Sequence, residues 1–282
     1  MTNDPEQMPG TYPGTPSSLT PPLGFDPVTG QPLPRPVPEQ RRLLAPFWHT
    51  VLIVILVLGN SLGSAMLASR ITHGTTSVSE QARMVQYSAT IGLELFLLFL
   101  VWVGFRLNQT KMSDVIGGRW NRLEDFLLDL AIGFACWIVA YATIVALSFA
   151  VGLAKTSQLE DSKKLASMIA PHTVGALLLF IALSITAGFV EEVIFRGYLQ
   201  KQIGALSGNV AIGLLVSALI FGAGHGYEGP RRMALIFVLG LIFGCVALLR
   251  RSLRPGMIAH ALFDSFQGII LFIGYRMGML QH

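Results

Sequence analysis

Residues 171–196 read PHTVGALLLFIALSITAGFVEEVIFR, and this stretch decides the class of the chain. From Val174 to Val190 it carries no charge; Glu191, Glu192 and Arg196 then follow in close succession. An apolar run of about 20 residues crosses a bilayer as a helix, because a helix satisfies its own backbone in hydrocarbon. Ionisable groups in such a run are costly, so each needs a reason.

The surroundings agree. The 282 residues are 52% hydrophobic and 13% charged, with mean hydropathy +0.58. A soluble domain of this size needs a more charged surface. Further apolar runs lie at about Phe47–Ala68, between Arg83 and Arg106, at about Phe126–Ala154, Val210–His225 and Met233–Leu249, and from Pro255 to near Tyr275. The expectation is an all-α, polytopic transmembrane bundle of about seven spans, at most eight. Residues 1–43 are rich in Pro, Gly, Thr and Ser and poor in large apolar side chains, which predicts a disordered cytoplasmic leader. The first apolar run starts too far in for a signal peptide. The expected organisation is this leader, N-terminal transmembrane helices over 44–164 and a catalytic transmembrane domain over 165–282.

The net charge of +4 reads as topology-setting loop charge and contact with the lipid bilayer, not as nucleic-acid binding, since no basic cluster with interleaved aromatics is present. Arg41, Arg42, Arg250, Arg251 and Arg254 carry most of the bias. They favour a multi-pass protein of the cell membrane with its N-terminus in the cytoplasm. Cys136 and Cys245 lie in apolar runs and read as small hydrophobes.

Intramembrane polar groups are sparse in the N-terminal half. His49 and Asp129 lie near span ends and can reach the interface. Glu94, deeper in its run, reads as a protonated or hydrogen-bonded packing residue, with a catalytic role as the alternative. The C-terminal half differs. Glu192 and Arg196 are four apart and share a helix face, so an ion pair is expected. Glu191 is turned about 100° from Glu192, so one carboxylate can face a site while the other pairs with Arg196. Phe221 and His225 share a face, as do His260 and Asp264. With a turn at Ser207-Gly208-Asn209, Glu191 and His225 both lie roughly 25 Å from the hairpin tip. His260 is only roughly 8 Å beyond the Arg254-Pro255 turn. The levels agree only if the hairpin projects past that turn.

A carboxylate and imidazoles around a water suit hydrolysis. Glu191 can act as general base and His225 can orient the water. His260 and Asp264 can stabilise an oxyanion. Two His and a carboxylate are also enough for a catalytic Zn²⁺, whose ligands would be Glu191, His225 and His260. H-E-x-x-H, the standard zincin pattern, is not present.

The order E-E-x-x-x-R, F-x-x-x-H, H-x-x-x-N/D resembles the CAAX-protease and bacteriocin-processing family, also called Abi, which includes the type II CAAX prenyl endopeptidases. Glu191, Glu192 and Arg196 match the first motif, Phe221 and His225 the second, His260 and Asp264 the third. The resemblance covers roughly residues 170–270. It implies an intramembrane endopeptidase, glutamate-type or metallo, with a cavity open to the cytoplasmic side. In it Glu191 activates water, His225 assists, and His260 with Asp264 contacts oxyanion or substrate. Asp264 stands where the eukaryotic prenyl-processing members have Asn. An ionised Asp would repel an oxyanion, so it is protonated, orients His260 or binds a metal.

The sequence therefore predicts hydrolysis of a peptide bond in a membrane-associated or lipid-modified protein or peptide. Catalysis rests on Glu191, His225, His260, Asp264 and Glu192, with Arg196 as structural ion-pair partner and no cofactor but the open alternative of Zn. A non-catalytic scaffold or small-molecule transporter is the rival reading.

Overall fold

The computed structural model describes residues 43–73, 79–152 and 156–280, leaving aside the side chains of 67–73 and 156–161. All but the last residue of the expected leader lies outside the described residues. The described chain is helical throughout: α1 (Phe47–His73), α2 (Glu80–Leu107), α3 (Met112–Ile116), α4 (Leu123–Ala150), α5 (Thr156–Ile169), α6 (Val174–Glu191), α7 (Gln200–Ser207), α8 (Val210–Ala223), α9 (Pro230–Arg250) and α10 (Arg254–Arg276). Between α6 and α7 the helix does not break. Glu192–Leu199 is wound as a π-helix, so Val174–Ser207 is one rod of 34 residues.

Among the described residues six helices are long and apolar enough to cross a bilayer: α1 to Met66, α2, α4, the α6–α7 rod, α9 and α10. The expected span at Val210–His225 is not among them. Its helix α8 has 14 residues, about 21 Å against a hydrocarbon thickness near 30 Å. The apolar run was real but too short. Beyond Ala223, the His225 amide bonds back to Gly222 and a 3₁₀ turn occupies Gly226–Glu228. The chain thus leaves α8 at the depth of the polar residues it carries.

The turn between α7 and α8 uses Gly208 at φ +70°, a left-handed conformation that favours glycine, and Asn209, whose side chain accepts from the Ala211 amide at 2.8 Å. This hairpin projects. His260 meets Glu192, and Glu192 lies 15 residues before Ser207 whereas His260 lies six after Arg254. The difference in rise is roughly 13 Å. The projecting part is held laterally: Gly197 lies so close to Val115 and Leu253 that an added Cβ would come within 2.7 and 2.9 Å of them, and Lys201 Nζ donates to the Val115 carbonyl at 2.9 Å. The levels of Glu191, His225 and His260 are reconciled this way.

Close helix approach brings the two halves of the site together. Gly188 of α6 faces the backbone of Ala261 of α10, where a Cβ would come within 2.7 Å of the Ala261 nitrogen. Small residues at a helix crossing allow such backbone contact where hydrophobic association offers no driving force.

Two polar residues of the N-terminal half sit differently from expectation. His49 is 2% exposed and does not reach an interface. A relay satisfies it: Gln202 Nε2 donates to Thr50 Oγ1, Thr50 to the Tyr198 hydroxyl and Tyr198 to His49 Nδ1, leaving His49 Nε2–H for the Leu100 carbonyl. This ties α1 to the π stretch. Asp129 is also buried, answered by Arg250 at 3.0 Å, Arg254 at 3.7 Å and the Trp120 indole at 2.8 Å.

Candidate active site

The π stretch builds the centre of the site. All its residues, Glu192 to Leu199, are buried. A π turn inside an α-helix is rare and frequently marks a functional segment. Here it carries the expected ion pair: Arg196 Nη1 lies 2.8 Å from Glu192 Oε1, with both side chains buried. Arg196 lies 4.2 Å over the Phe221 ring and 5.4 Å from that of Phe243, and Nη2 donates to the Gly240 carbonyl at 3.5 Å. Such a desolvated pair needs these further contacts to offset the loss of water.

Glu192 Oε1 has a second partner. His260 Nδ1 donates to it at 3.2 Å, while the ring packs against Phe243 and Phe221. Fixing Nδ1 aims the other ring nitrogen. His260 Nε2 points between Glu191 Oε2 at 3.7 Å and Asp264 Oδ2 at 3.6 Å. The two neighbouring carboxylates are thereby separated. Glu192 grips Arg196 and His260. Glu191 stands beside the imidazole with 14% of its side chain exposed.

His225 ends α8. Its Nδ1 donates to the Phe221 carbonyl at 2.9 Å, which leaves the Nε2 lone pair as an acceptor. Phe221 is the hub beneath it, in edge contact with His225, His260 and Phe195 as well as under Arg196. The Phe of the second motif thus joins all three motifs by packing. His225 lies within electrostatic reach of Asp264.

The site extends beyond the predicted residues. Tyr227 and Glu228, in the 3₁₀ turn after His225, stand near Asp264, and Tyr227 also near Glu191. The Tyr227 hydroxyl bonds Glu228. Burial, then the Glu228, Glu191 and Asp264 carboxylates, push its pKa well above the ordinary phenol value, so it stays a proton donor. Glu94 of α2 also reaches the site, against Glu191 and near Asp264. The signal for Glu94 was its depth in an apolar run. For Tyr227 and Glu228 it was proximity to His225.

The cluster is closed towards the Arg250–Arg254 turn, where Glu192 and Arg196 are fully buried. Asp264, 36% exposed, lies one helical turn beyond His260 from that end, and the His225–Glu228 turn precedes α9 at the end opposite Arg250. The accessible side therefore faces away from the arginine-rich turn.

Residues 173–266 match the family model described as Rce1-like, the type II CAAX prenyl endopeptidases. The match covers a third of the chain and shows what that third is similar to. The Rce1-like segment runs from the N-cap of α6 through most of α10 and includes Glu191, Glu192, Arg196, Phe221, His225, His260 and Asp264. Glu94 lies outside it. No curated protein and no solved structure matches the chain.

The Zn alternative finds no support in the donor set. Among the described residues no three of His, Cys, Asp and Glu form a group that could hold a metal ion.

Proposed function

We propose that the chain is an intramembrane endopeptidase of glutamate type, cleaving a peptide bond of a membrane-associated or lipid-modified protein or peptide. One observation carries the reading: three motifs of an Rce1-like segment meet at one buried imidazole, His260. In this reading residues 165–282 carry the chemistry, and residues 44–164 wall the site against lipid.

Glu191 takes a proton from water as the water oxygen bonds to the carbonyl carbon. It returns that proton to the amide nitrogen as the C–N bond breaks. His225 orients the water through its free Nε2. The oxyanion meets Nε2–H of His260 in its imidazolium form, whose Nδ1–H stays on Glu192, while the single Tyr227 proton is held by Glu228. Asp264 orients His260 from the open side, a role for a carboxylate where the eukaryotic enzymes carry Asn.

Expression of Glu191→Gln in cells tests the substrate class. The variant is expected to retain a membrane-associated polypeptide that the wild type releases shortened. Equal recovery of the same polypeptides with both proteins would contradict the reading.

We also propose that the chain lies in the cell membrane with its N-terminus in the cytoplasm, as the arginine bias favours. The accessible side of the site would then face the non-cytoplasmic surface, opposite to what the family resemblance implies. A cysteine at Glu228, in a background lacking Cys136 and Cys245, is expected to react with an impermeant maleimide added outside intact cells. Labelling only after the cells are opened would reverse the orientation.

A further inference from the structure

We infer that Glu94 of α2 is a positioning residue for Glu191: its carboxyl group hydrogen-bonds the Glu191 carboxylate and fixes which oxygen of Glu191 meets the water. The inference rests on the reading of Glu191 as water activator.

Placement comes first. The buried residues of α2 include Tyr87, Leu97, Val101 and Phe105, and Glu94 continues that seam at helical spacing, seven after Tyr87 and three before Leu97. Helix α2 packs along α6, so the seam faces the helix that carries Glu191. Glu94 lies 14 residues from Glu80 and 13 from Leu107, near the middle of a spanning helix, where an unanswered carboxyl is most costly.

Partner chemistry comes second. Asp129 shows how this chain treats a buried structural carboxylate: two arginines and an indole answer it. Glu94 has no such answer. Its Oε2 is buried without a hydrogen-bond partner, as is Glu191 Oε2, and the side chain in contact with it is Glu191 itself, with Asp264 near. Arg196, the cation that reaches Glu191, is committed to Glu192. A hydrogen bond between two carboxyl groups requires one proton, so Glu94 serves Glu191 as a donor. One oxygen of Glu191 is then held and the other is left for water. A glutamine at 94 keeps a donor there; a leucine removes it at similar volume.

The test uses the purified full chain in lipid nanodiscs. Glu94→Gln is expected to keep kcat within about threefold of wild type. Glu94→Leu should lower kcat about a hundredfold, the scale of a misplaced catalytic group, with KM changed by less than about twofold. Infrared spectroscopy supplies a readout that needs no substrate. The neutral-carboxyl stretch of the wild type should disappear in Glu94→Gln and shift in Glu191→Gln. Full kcat in Glu94→Leu, loss of activity in Glu94→Gln equal to that in Glu94→Leu, or an infrared spectrum unchanged by Glu94→Gln would each overturn the inference. Absence of cleavage by the wild type would instead sink the protease reading, while the infrared result still decides the pairing.

Discussion

Glu191→Ala should lower the rate of peptide cleavage by roughly a thousandfold or more, and His225→Ala by roughly a hundredfold, with folded yield unchanged in both. General acid–base catalysis by one positioned side chain typically contributes 10²–10⁴-fold, and Glu191 is asked to act twice, on water and on the leaving nitrogen. Its geometry suits the larger share. Glu191 is partly exposed beside His260, whereas Glu192 is fully buried and committed to Arg196 and His260. In the proposed mechanism His225 orients the same water through a lone pair, so its loss is expected to cost less. The two act on one water, and the double variant should fall little below Glu191→Ala alone. The ionic contact of Glu191 with His260 is long, 3.7 Å, and Glu192 still holds that ring, so removal of Glu191 should spare the fold. Turnover by purified variants, alongside size-exclusion profiles, reads both effects.

Arg196→Met should have the largest effect on stability. It leaves the Glu192 carboxylate buried with only His260 to answer it, and it removes the cation lying over Phe221 and near Phe243. Removing one partner of a buried pair costs about 3–5 kcal/mol. That is a large part of a typical stability of about 5–15 kcal/mol, so little folded protein should survive extraction. Replacing both partners, Glu192→Leu with Arg196→Met, removes the stranded charge. It should restore much of the thermal stability but not activity, because His260 then loses the bond that aims Nε2. Thermal unfolding in detergent and cleavage rate, measured together, separate the two roles. A double variant no more stable than Arg196→Met would show that the pair is not what holds this part of the bundle.

Much of this was readable from residue spacing. The ion pair followed from four-residue separation, the hairpin turn from Ser207-Gly208-Asn209, and the helical class from run length. What spacing could not show depends on tertiary packing. Run length alone could not separate a spanning helix from α8, whose 14 residues stop at the site. The extra width of the π stretch leaves no trace in the Glu192–Leu199 side chains. His49 looked like an interface residue because its partners, Tyr198 and Leu100, are distant in sequence. Glu94 was visible as an anomaly in an apolar run, but its neighbour Glu191 is supplied by another helix. The depth of His260 turned on the hairpin projection, which the packing of Gly197 against Leu253 and Val115 fixes.

The central claim is hydrolysis by this chain alone, and the most direct measurement is incubation of the purified protein in nanodiscs with membrane-associated peptides in ¹⁸O-labelled water. Mass spectrometry should find a shortened product with one ¹⁸O in its new carboxylate, formed by the wild type in the presence of a chelator after metal analysis shows no bound ion, and absent with Glu191→Gln. No product from any prenylated or transmembrane peptide, or equal product from Glu191→Gln, would contradict the account.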